Sequence, residues 1–424
     1  MMASPGYVRH SHLLILIGSI VCGILILYPC SIPAEPQHPS DPLQHVVSVI
    51  NIEVPVRVFA GDLFVDNLMI KDFEVYENGV LQKLEAMYLI KSSALHREEG
   101  HTTFAPKTER HFILFFQTYT WNPKIEEGIA YFIRNVLRPE DNLTVVTSVK
   151  PYHLKKGALD KPRQEDMISQ LAGLVKRDTL VGNTEYLSIL NELKQMLSGG
   201  GLDKTGARQP DLTLFGEGTW QEFLMNYRDL RERLEKIRSF DQERLLSFAQ
   251  YLKKMDGQKN VLLYYEREYM PMVDRKKYIG LFESGEDFLI EQDFKDLFDL
   301  YKRDSKIDVD LIKRTFSDAS ISIHFLYVTS SPEHVGGVSD AAMEEHSEDM
   351  YRPFFELAQA TGGVAESSTN PSYLMQKAGN ASENYYLLYY KPTNATADGK
   401  FRNITIKVKD RTFRVLHRAG YFAH

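Results

Sequence analysis

Hydrophobic and polar residues alternate in several short segments near both ends of the chain. Alternation over residues 54–58 (VPVRV) and 72–77 (DFEVYE) predicts half-buried strands. Asn78-Gly79 predicts a two-residue hairpin turn, after which residues 81–90 return as a strand. We therefore expect a small all-β module at 45–92. Further strands are predicted near the C-terminus, at 385–390, 401–408 and 413–417.

The middle of the chain has a different pattern, in which continuous apolar runs are separated by segments of helical period. The runs predict strands buried on both faces, and they lie at 111–116 (HFILFF), 143–147, 260–265 (NVLLYY), 321–328 (ISIHFLYV) and 364–367. Helical spacing of apolar residues is found over 125–137, 163–176, 184–197, 220–255, 350–360 and 371–378. Strands that alternate with helices predict an α/β domain with a mostly parallel sheet and helices on both faces. We assign it to 108–390, with inserted loops at 198–218 and 268–315, and assign 391–424 to C-terminal β strands.

The N-terminal segment has the pattern of an export signal. Arg9 precedes an apolar run over residues 13–28, and Pro29 and Pro33 then interrupt any helix. The run is 16 residues long, which lies between a signal-peptide core and a membrane-spanning helix. Residues 1–34 are therefore predicted to be a cleaved signal peptide or an uncleaved membrane anchor, followed by a Pro-rich linker at 35–44. Both alternatives predict an exported protein that is periplasmic, secreted or anchored to the membrane by this segment.

Composition and charge exclude several classes of function. The two cysteines, Cys22 and Cys30, lie in or beside the N-terminal segment, so the rest of the chain offers no disulfide or thiolate chemistry. A net charge of −7, from 50 basic and 57 acidic residues, gives no electrostatic footprint for nucleic acid. The spacings of the common catalytic motifs HExxH and GxSxG do not occur. We expect a non-enzymatic protein, with a hydrolase of unknown substrate as an alternative.

Six short motifs together resemble a known family. They are 70–84 (IKDFEVYENGVLQKL), 257–263 (GQKNVLL), 357–363 (LAQATGG), 385–388 (YYLL), 398–402 (DGKFR) and 418–422 (RAGYF). In this order they resemble the bacterial von Willebrand factor A-related proteins that are frequent in acidobacteria. The resemblance implies a Rossmann-like von Willebrand A domain, and it implies an exported protein.

The resemblance also implies a metal-ion-dependent adhesion site at the carboxyl ends of the strands. The family pattern is Asp-x-Ser-x-Ser after the first strand, a Thr in a later loop and an Asp after a central strand. In this chain Gln117 stands at the first Asp position, Tyr119 and Trp121 stand at the Ser positions, and Thr184 matches the Thr. The last Asp position falls on Glu266 or the adjacent Tyr265. Divalent cations prefer oxygen ligands, and an amide oxygen brings no charge. We therefore expect a degenerate site without a cofactor.

Two functions follow from this site. In the first, Gln117, Thr118, Tyr119, Thr120, Trp121, Thr184 and Glu266 form a metal-free surface that binds an unknown protein partner at the cell envelope. Tyr119 and Trp121 are the expected anchors, because aromatic residues dominate interface hot spots. The alternative for these aromatics is that they pack under the 268–315 loop. In the second function, Gln117, Thr184 and Glu266 hold Mg²⁺ or Ca²⁺ in an adhesion protein.

Overall fold

A computed structural model describes residues 51–100, 106–154, 163–198, 217–238, 241–273, 308–329, 341–345 and 347–424. The predicted export segment (1–34) and linker (35–44) lie outside these ranges, as does most of each predicted inserted loop (199–216 and 274–307). The described residues all belong to one compact unit, Val49–His424.

Eighteen strands are described. They are β1 (Ile52–Ala60), β2 (Leu63–Phe64), β3 (Phe73–Glu77), β4 (Val80–Gln82), β5 (Leu84–Lys91), β6 (Ala94–Gly100), β7 (Arg110–Gln117), β8 (Asn142–Val146), β9 (Pro151–His153), β10 (Gln258–Glu266), β11 (Tyr269–Val273), β12 (Ile321–Val328), β13 (Ala341–Glu345), β14 (Ala365–Ser368), β15 (Asn384–Tyr390), β16 (Phe401–Val408), β17 (Arg414–His417) and β18 (Gly420–Phe422). The described helices are α1 (Lys124–Asn135), α2 (Gln164–Gly182), α3 (Thr184–Ser198), α4 (Glu217–Arg238), α5 (Gln242–Lys253), α6 (Val309–Asp318), α7 (Glu348–Ala360) and α8 (Pro371–Glu383), with a 3-10 turn at Ile70–Asp72.

Antiparallel strands from both ends of the chain form two curled sheets in a half-barrel. One sheet has the order β17-β1-β15-β5-β6, with β2 paired to β1, and the other has the order β18-β16-β3-β4. Their facing side chains share one core, which includes Val56, Val75, Tyr386 and Ile406. In β16 the buried residues alternate with exposed ones, as expected for a strand with one face on the core.

The expected fold class, a Rossmann-like von Willebrand A domain with a mostly parallel sheet, is wrong for this chain. Many of the strands are antiparallel and lie in curled sheets, and 39% of the structure is helical. Strand β15 shows the physical reason. Its run NYYLLYY is buried on both faces and lies inside the predicted 108–390 domain, but β15 pairs antiparallel with β1 and with β5. Burial on both faces does not reveal the direction of the neighbouring strands.

Parallel pairing among the described strands is confined to one sheet of order β14-β12-β10-β7-β8-β9, in which β9 is antiparallel. One face of this sheet packs on α1, α2 and α8, through residues such as Phe112, Ile129 and Leu374. The other face packs on α5, α6 and α7, through residues such as Ile113, Phe316 and Leu357. Apolar side chains are therefore required at successive positions of β7, which explains its continuous apolar run.

Two buried arginines join the half-barrel to the helices of the parallel sheet. Arg57 of β1 donates from Nη1 to the carbonyl of Gly362, just after α7, at 3.2 Å. Arg418 donates from Nη1 to the carbonyl of Ser317 in the last turn of α6, at 3.3 Å. Cations stabilise the carbonyl ends of helices. Burial lowers the pKa of Arg57 to about 10, so this side chain stays charged at neutral pH.

Three helix predictions differ markedly from the structure, and one of them, at 371–378, continues as α8 to Glu383. The helix predicted at 163–176 continues as α2 to Gly182, and the single helix predicted at 220–255 is replaced by α4 and α5. Asp241 caps α5 by accepting a hydrogen bond from the amide of Arg244 at 3.0 Å. An N-cap aspartate marks the start of a new helix. The longer α2 matters for function, because its last turn reaches the carboxyl ends of the parallel strands.

Candidate functional site

The loop after β7 begins at the centre of the parallel sheet. Strands β7 and β10 are parallel neighbours, with Gln117 opposite Tyr265. Strand β8 follows β7 along the chain on one side, whereas β10 lies on the other side, so the strand order reverses between β7 and β10. Ligand sites of parallel sheets lie outside the carboxyl ends of the strands at such a reversal. We therefore take the 117–121 loop and the end of β10 as the candidate site.

Glu266, the last residue of β10, fixes this loop. Its Oε1 accepts a hydrogen bond from the Thr120 hydroxyl at 2.9 Å, and its Oε2 accepts one from the Thr120 amide at 3.3 Å. The carboxylate is buried, with 7% of the residue exposed, whereas Thr120 is exposed. Burial raises the pKa of Glu266, and the bonds from Thr120 oppose that rise because they favour the charged form.

Both aromatic residues of the loop pack inward. Tyr119 is 7% exposed and stacks on Tyr186 of α3, with ring centroids 4.3 Å apart. The side-chain amide of Gln117 donates to the Tyr119 hydroxyl at 3.4 Å. Trp121 is half-buried and packs against the core between the sheet, α1 and α2. The ring of Tyr119 is therefore held by the protein itself, and Trp121 presents only part of its surface.

A second set of hydrogen bonds ties the loop to the end of α2. The hydroxyls of Thr118 and Thr179 lie 3.3 Å apart. The side-chain amide of Asn183 donates to the carbonyls of Thr118 and Thr179, both at 2.8 Å. All three residues are buried. The 117–121 loop and the last turn of α2 therefore form one rigid edge.

The three residues expected to hold a metal are each engaged elsewhere. Glu266 binds Thr120, Gln117 binds Tyr119, and the Thr184 hydroxyl donates to the carbonyls of Leu180 and Val181 at 3.1 and 2.9 Å. Within the described residues, no group of three or more His, Cys, Asp or Glu side chains could hold a metal ion. The geometry brings Thr120 and Glu266 together and directs the Thr184 hydroxyl to the last turn of the preceding helix, α2.

A buried ion pair next to the site was not found from the sequence. Glu268 is 3% exposed and pairs with Arg238 at the end of α4, and its Oε1 accepts a hydrogen bond from the Tyr265 hydroxyl at 2.6 Å. The backbone amide of Glu268 donates to the Ser347 hydroxyl at 3.0 Å. The only sequence signal was the acidic-basic-acidic run 266–268 after a buried strand. This network fixes the chain that leaves β10.

An exposed apolar patch also escaped sequence analysis. Val149, Leu180 and Val181 are 48%, 46% and 63% exposed. The hydroxyl of Ser148 donates to the carbonyl of Asp178 at 2.9 Å, which places the turn that carries Val149 against the last turn of α2, where Leu180 and Val181 lie. The buried positions of α2 predict an outward direction for Leu180 and Val181, but only once the helix is known to reach residue 182. We call these three residues the apolar patch.

Comparisons with models of protein families and with curated proteins found no match to this chain. The resemblance to von Willebrand factor A-related proteins therefore rests on the quoted motifs alone. In the described part of the chain, no helix has both the length and the apolar character that crossing a membrane requires.

Proposed function

We propose that this is an exported, non-enzymatic protein that binds another protein at the cell envelope through the carboxyl edge of its parallel strands. The observation that supports this proposal best is the apolar patch of Val149, Leu180 and Val181 on a rigid edge. Exposed apolar side chains that cluster beside polar residues are typical of protein-binding surfaces. The partner that fits this surface presents apolar side chains within a polar rim.

The rigidity of the edge is the second argument. Thr118, Thr179 and Asn183 are bonded to one another at the end of α2, and Glu266 holds the exposed Thr120 in the 117–121 loop. A surface that is already ordered loses little conformational entropy when a partner binds. The contact residues in this proposal are the patch together with Thr120, Trp121 and Thr184, while Gln117, Thr118, Tyr119 and Glu266 support them from inside.

The proposed binding does not use a divalent metal. Both oxygens of Glu266 accept hydrogen bonds from Thr120, so a cation would compete with Thr120 for this carboxylate, and the amide oxygen of Gln117 would bring it no charge. Calorimetric titration of the protein with Mg²⁺ and Ca²⁺ distinguishes this proposal from the adhesion protein with a working metal site. We expect no saturable heat. A tight signal that disappears in Glu266→Ala would favour the metal-dependent alternative.

Site-specific crosslinking tests the binding surface. A photoreactive amino acid is placed at Val181, and at Leu63 as a control, because Leu63 is 77% exposed in the half-barrel and far from the site in sequence. The full chain is irradiated in the cell envelope, and the crosslinked protein is identified and purified. We expect a specific crosslink from position 181 that is not formed from position 63.

The affinity of the identified partner is then measured for Val181→Asp and for the matched control Leu63→Asp. Both side chains are mostly exposed, so neither change should disturb folding. Val181→Asp should weaken binding at least tenfold because it places a charge in an apolar contact, and EDTA should leave the affinity unchanged. Equal affinities of the two variants would refute the assignment of this surface.

A further inference from the structure

A second concave site lies at the carboxyl ends of β10, β12 and β14, on the other side of β10 from the 117–121 loop. It has a volume of about 290 Å³ and is lined by Arg267, Tyr327, Glu345, Tyr351 and Ser367. We call it the carboxyl-edge pocket. Tyr327 and Ser367 face each other across parallel strands, and Arg267 follows the last residue of β10. These positions are where parallel sheets place ligands.

The pocket contains one positive and one negative side chain. The Nε atom of Arg267 lies 2.9 Å from Oε1 of Glu345, and about one third of each side chain is exposed. The same Oε1 accepts a hydrogen bond from the Tyr327 hydroxyl at 2.6 Å. Among the described residues the contacts of Glu345 all fall on Oε1, including one of 3.5 Å from the Ser347 hydroxyl, so Oε2 is the oxygen that we assign to a ligand. The formal charges balance, so a simple anion or a simple cation would meet a like charge.

Two aromatic rings form the walls of the pocket. Tyr327 and Tyr351 meet edge to face with centroids 4.9 Å apart, and the guanidinium of Arg267 lies 5.6 Å from the centre of the Tyr327 ring. Aromatic walls bind apolar groups and also attract cations over their faces. The hydroxyl of Ser367 is exposed at the mouth and can donate to a carboxylate.

These features fit a dipolar ligand of small size. We propose that the carboxyl-edge pocket binds a free α-amino acid with an apolar side chain, as its zwitterion. The ligand carboxylate binds Arg267 and Ser367, and the ligand ammonium binds Oε2 of Glu345 and lies against the ring of Tyr351. The apolar side chain packs on Tyr327. Binding of this ligand is independent of the protein partner proposed above.

Ligand derivatives test the proposal on the unmodified full chain by calorimetric titration. L-leucine and L-phenylalanine are compared with leucine amide, which lacks the carboxylate, and with N-acetylleucine, which lacks the ammonium. Each derivative should bind about 10- to 100-fold more weakly than L-leucine, because it loses one charge-assisted contact. Absence of binding by both amino acids, or equal binding by leucine and its two derivatives, would overturn the proposal.

Substitutions provide the second arm. Arg267→Gln and Glu345→Gln should each weaken leucine binding by a factor similar to that of the derivatives. Glu345→Gln should also bind N-acetylleucine more tightly than the unmodified protein does, because Arg267 has then lost its carboxylate partner. The matched controls are Arg134→Gln and Glu165→Gln, which break an exposed pair of 2.7 Å between α1 and α2. Circular dichroism confirms that each variant is folded. Leucine binding that is unchanged in both pocket variants would overturn the proposal.

Discussion

The hydrogen bond between Thr120 and Glu266 offers a sharp test of how the candidate site is held together. Thr120→Val removes the hydroxyl that donates to Glu266 at 2.9 Å and keeps the shape of the side chain. Two hydrogen bonds join residue 120 to the buried carboxylate. The variant keeps only the longer one, of 3.3 Å, from the backbone amide. Because Thr120 is exposed, the substitution creates no cavity in a core.

The expected loss of stability depends on pH. A hydrogen bond to a charged group contributes about 1.5 to 3 kcal/mol, and the exposure of Thr120 lets water replace part of it, so we expect about 1.5 kcal/mol. Folding raises the pKa of Glu266 by burial, so stability linked to this group is present at low pH and lost as pH rises through the raised pKa. Thr120→Val removes a hydrogen bond to the charged carboxylate, so the stability lost as the pH rises is larger in the variant than in the wild type. The variant should therefore be less stable than wild type at about pH 8 and nearly equal at about pH 4.

The free energy of unfolding is measured by urea titration at both pH values, followed by circular dichroism and by tryptophan fluorescence. Trp121 and Trp220 are the two tryptophans of the chain, so a Trp220→Phe background makes Trp121 a reporter of the loop itself. Thr184→Val is the matched control. Its hydroxyl donates only to the backbone carbonyls of Leu180 and Val181, which do not titrate, so its effect should be the same at both pH values.

Two results would refute this reasoning. One is a loss for Thr120→Val that is as large at pH 4 as at pH 8, because the bond would then not depend on the charge of Glu266. The other is an unchanged loss in a Glu266→Gln background, because the partner of the hydroxyl would then be a different group.

Three further predictions concern other parts of the fold. Asp141→Asn should cost about 3 to 5 kcal/mol in urea unfolding, because it leaves the buried Arg110, whose side chain is 1% exposed, without its carboxylate; a loss below about 1 kcal/mol would contradict this. Gly363→Ala should lower stability by about 1 to 3 kcal/mol, because its Cβ would lie 1.8 Å from a carbonyl oxygen of β12. Gly173→Ala, on the open surface of α2, should instead raise stability by about 0.4 to 1 kcal/mol. Burial lowers the pKa of His324 to about 3, so the protein should lose stability as pH falls from about 6.5 towards 3, and His324→Gln should flatten that dependence in acid titrations.

The local pattern of apolar residues predicted most strands and helices, but it did not predict how the strands associate. The run HFILFF of β7 and the run NYYLLYY of β15 both indicate burial on two faces. One pairs with parallel neighbours and the other with antiparallel neighbours more than 290 residues away in the sequence. A strand's own side chains report burial and not the direction of its neighbours, so the pattern could not show that β15, inside the predicted 108–390 domain, pairs outside the parallel sheet.

For the candidate site, too, one property was predicted before the structure was known and others were not. The resemblance to von Willebrand factor A-related proteins suggested its position after β7 and β10, and these strands are parallel neighbours whose carboxyl ends meet at one edge. The contacts of the individual side chains within the site were not predicted. Tyr119 and Trp121 were expected to be exposed anchors. In the structure the ring of Tyr119 stacks on the ring of Tyr186, a residue far away in the sequence that the local pattern could not indicate. The apolar patch depends on α2 reaching Gly182, and the sequence analysis ended this helix at 176 although Gly182-Asn183 is a typical helix stop signal.

The sequence by itself determined most of the segments that are strands and helices and the absence of cysteine chemistry after residue 30. These properties depend on residues close together in the chain or on composition alone. The tertiary structure decided the antiparallel half-barrel, the inward packing of Tyr119, the bond between Thr120 and Glu266, and the pairing of Arg267 with Glu345. Each of these is a contact between distant residues, and its free energy depends on burial and geometry that exist only after the chain has folded.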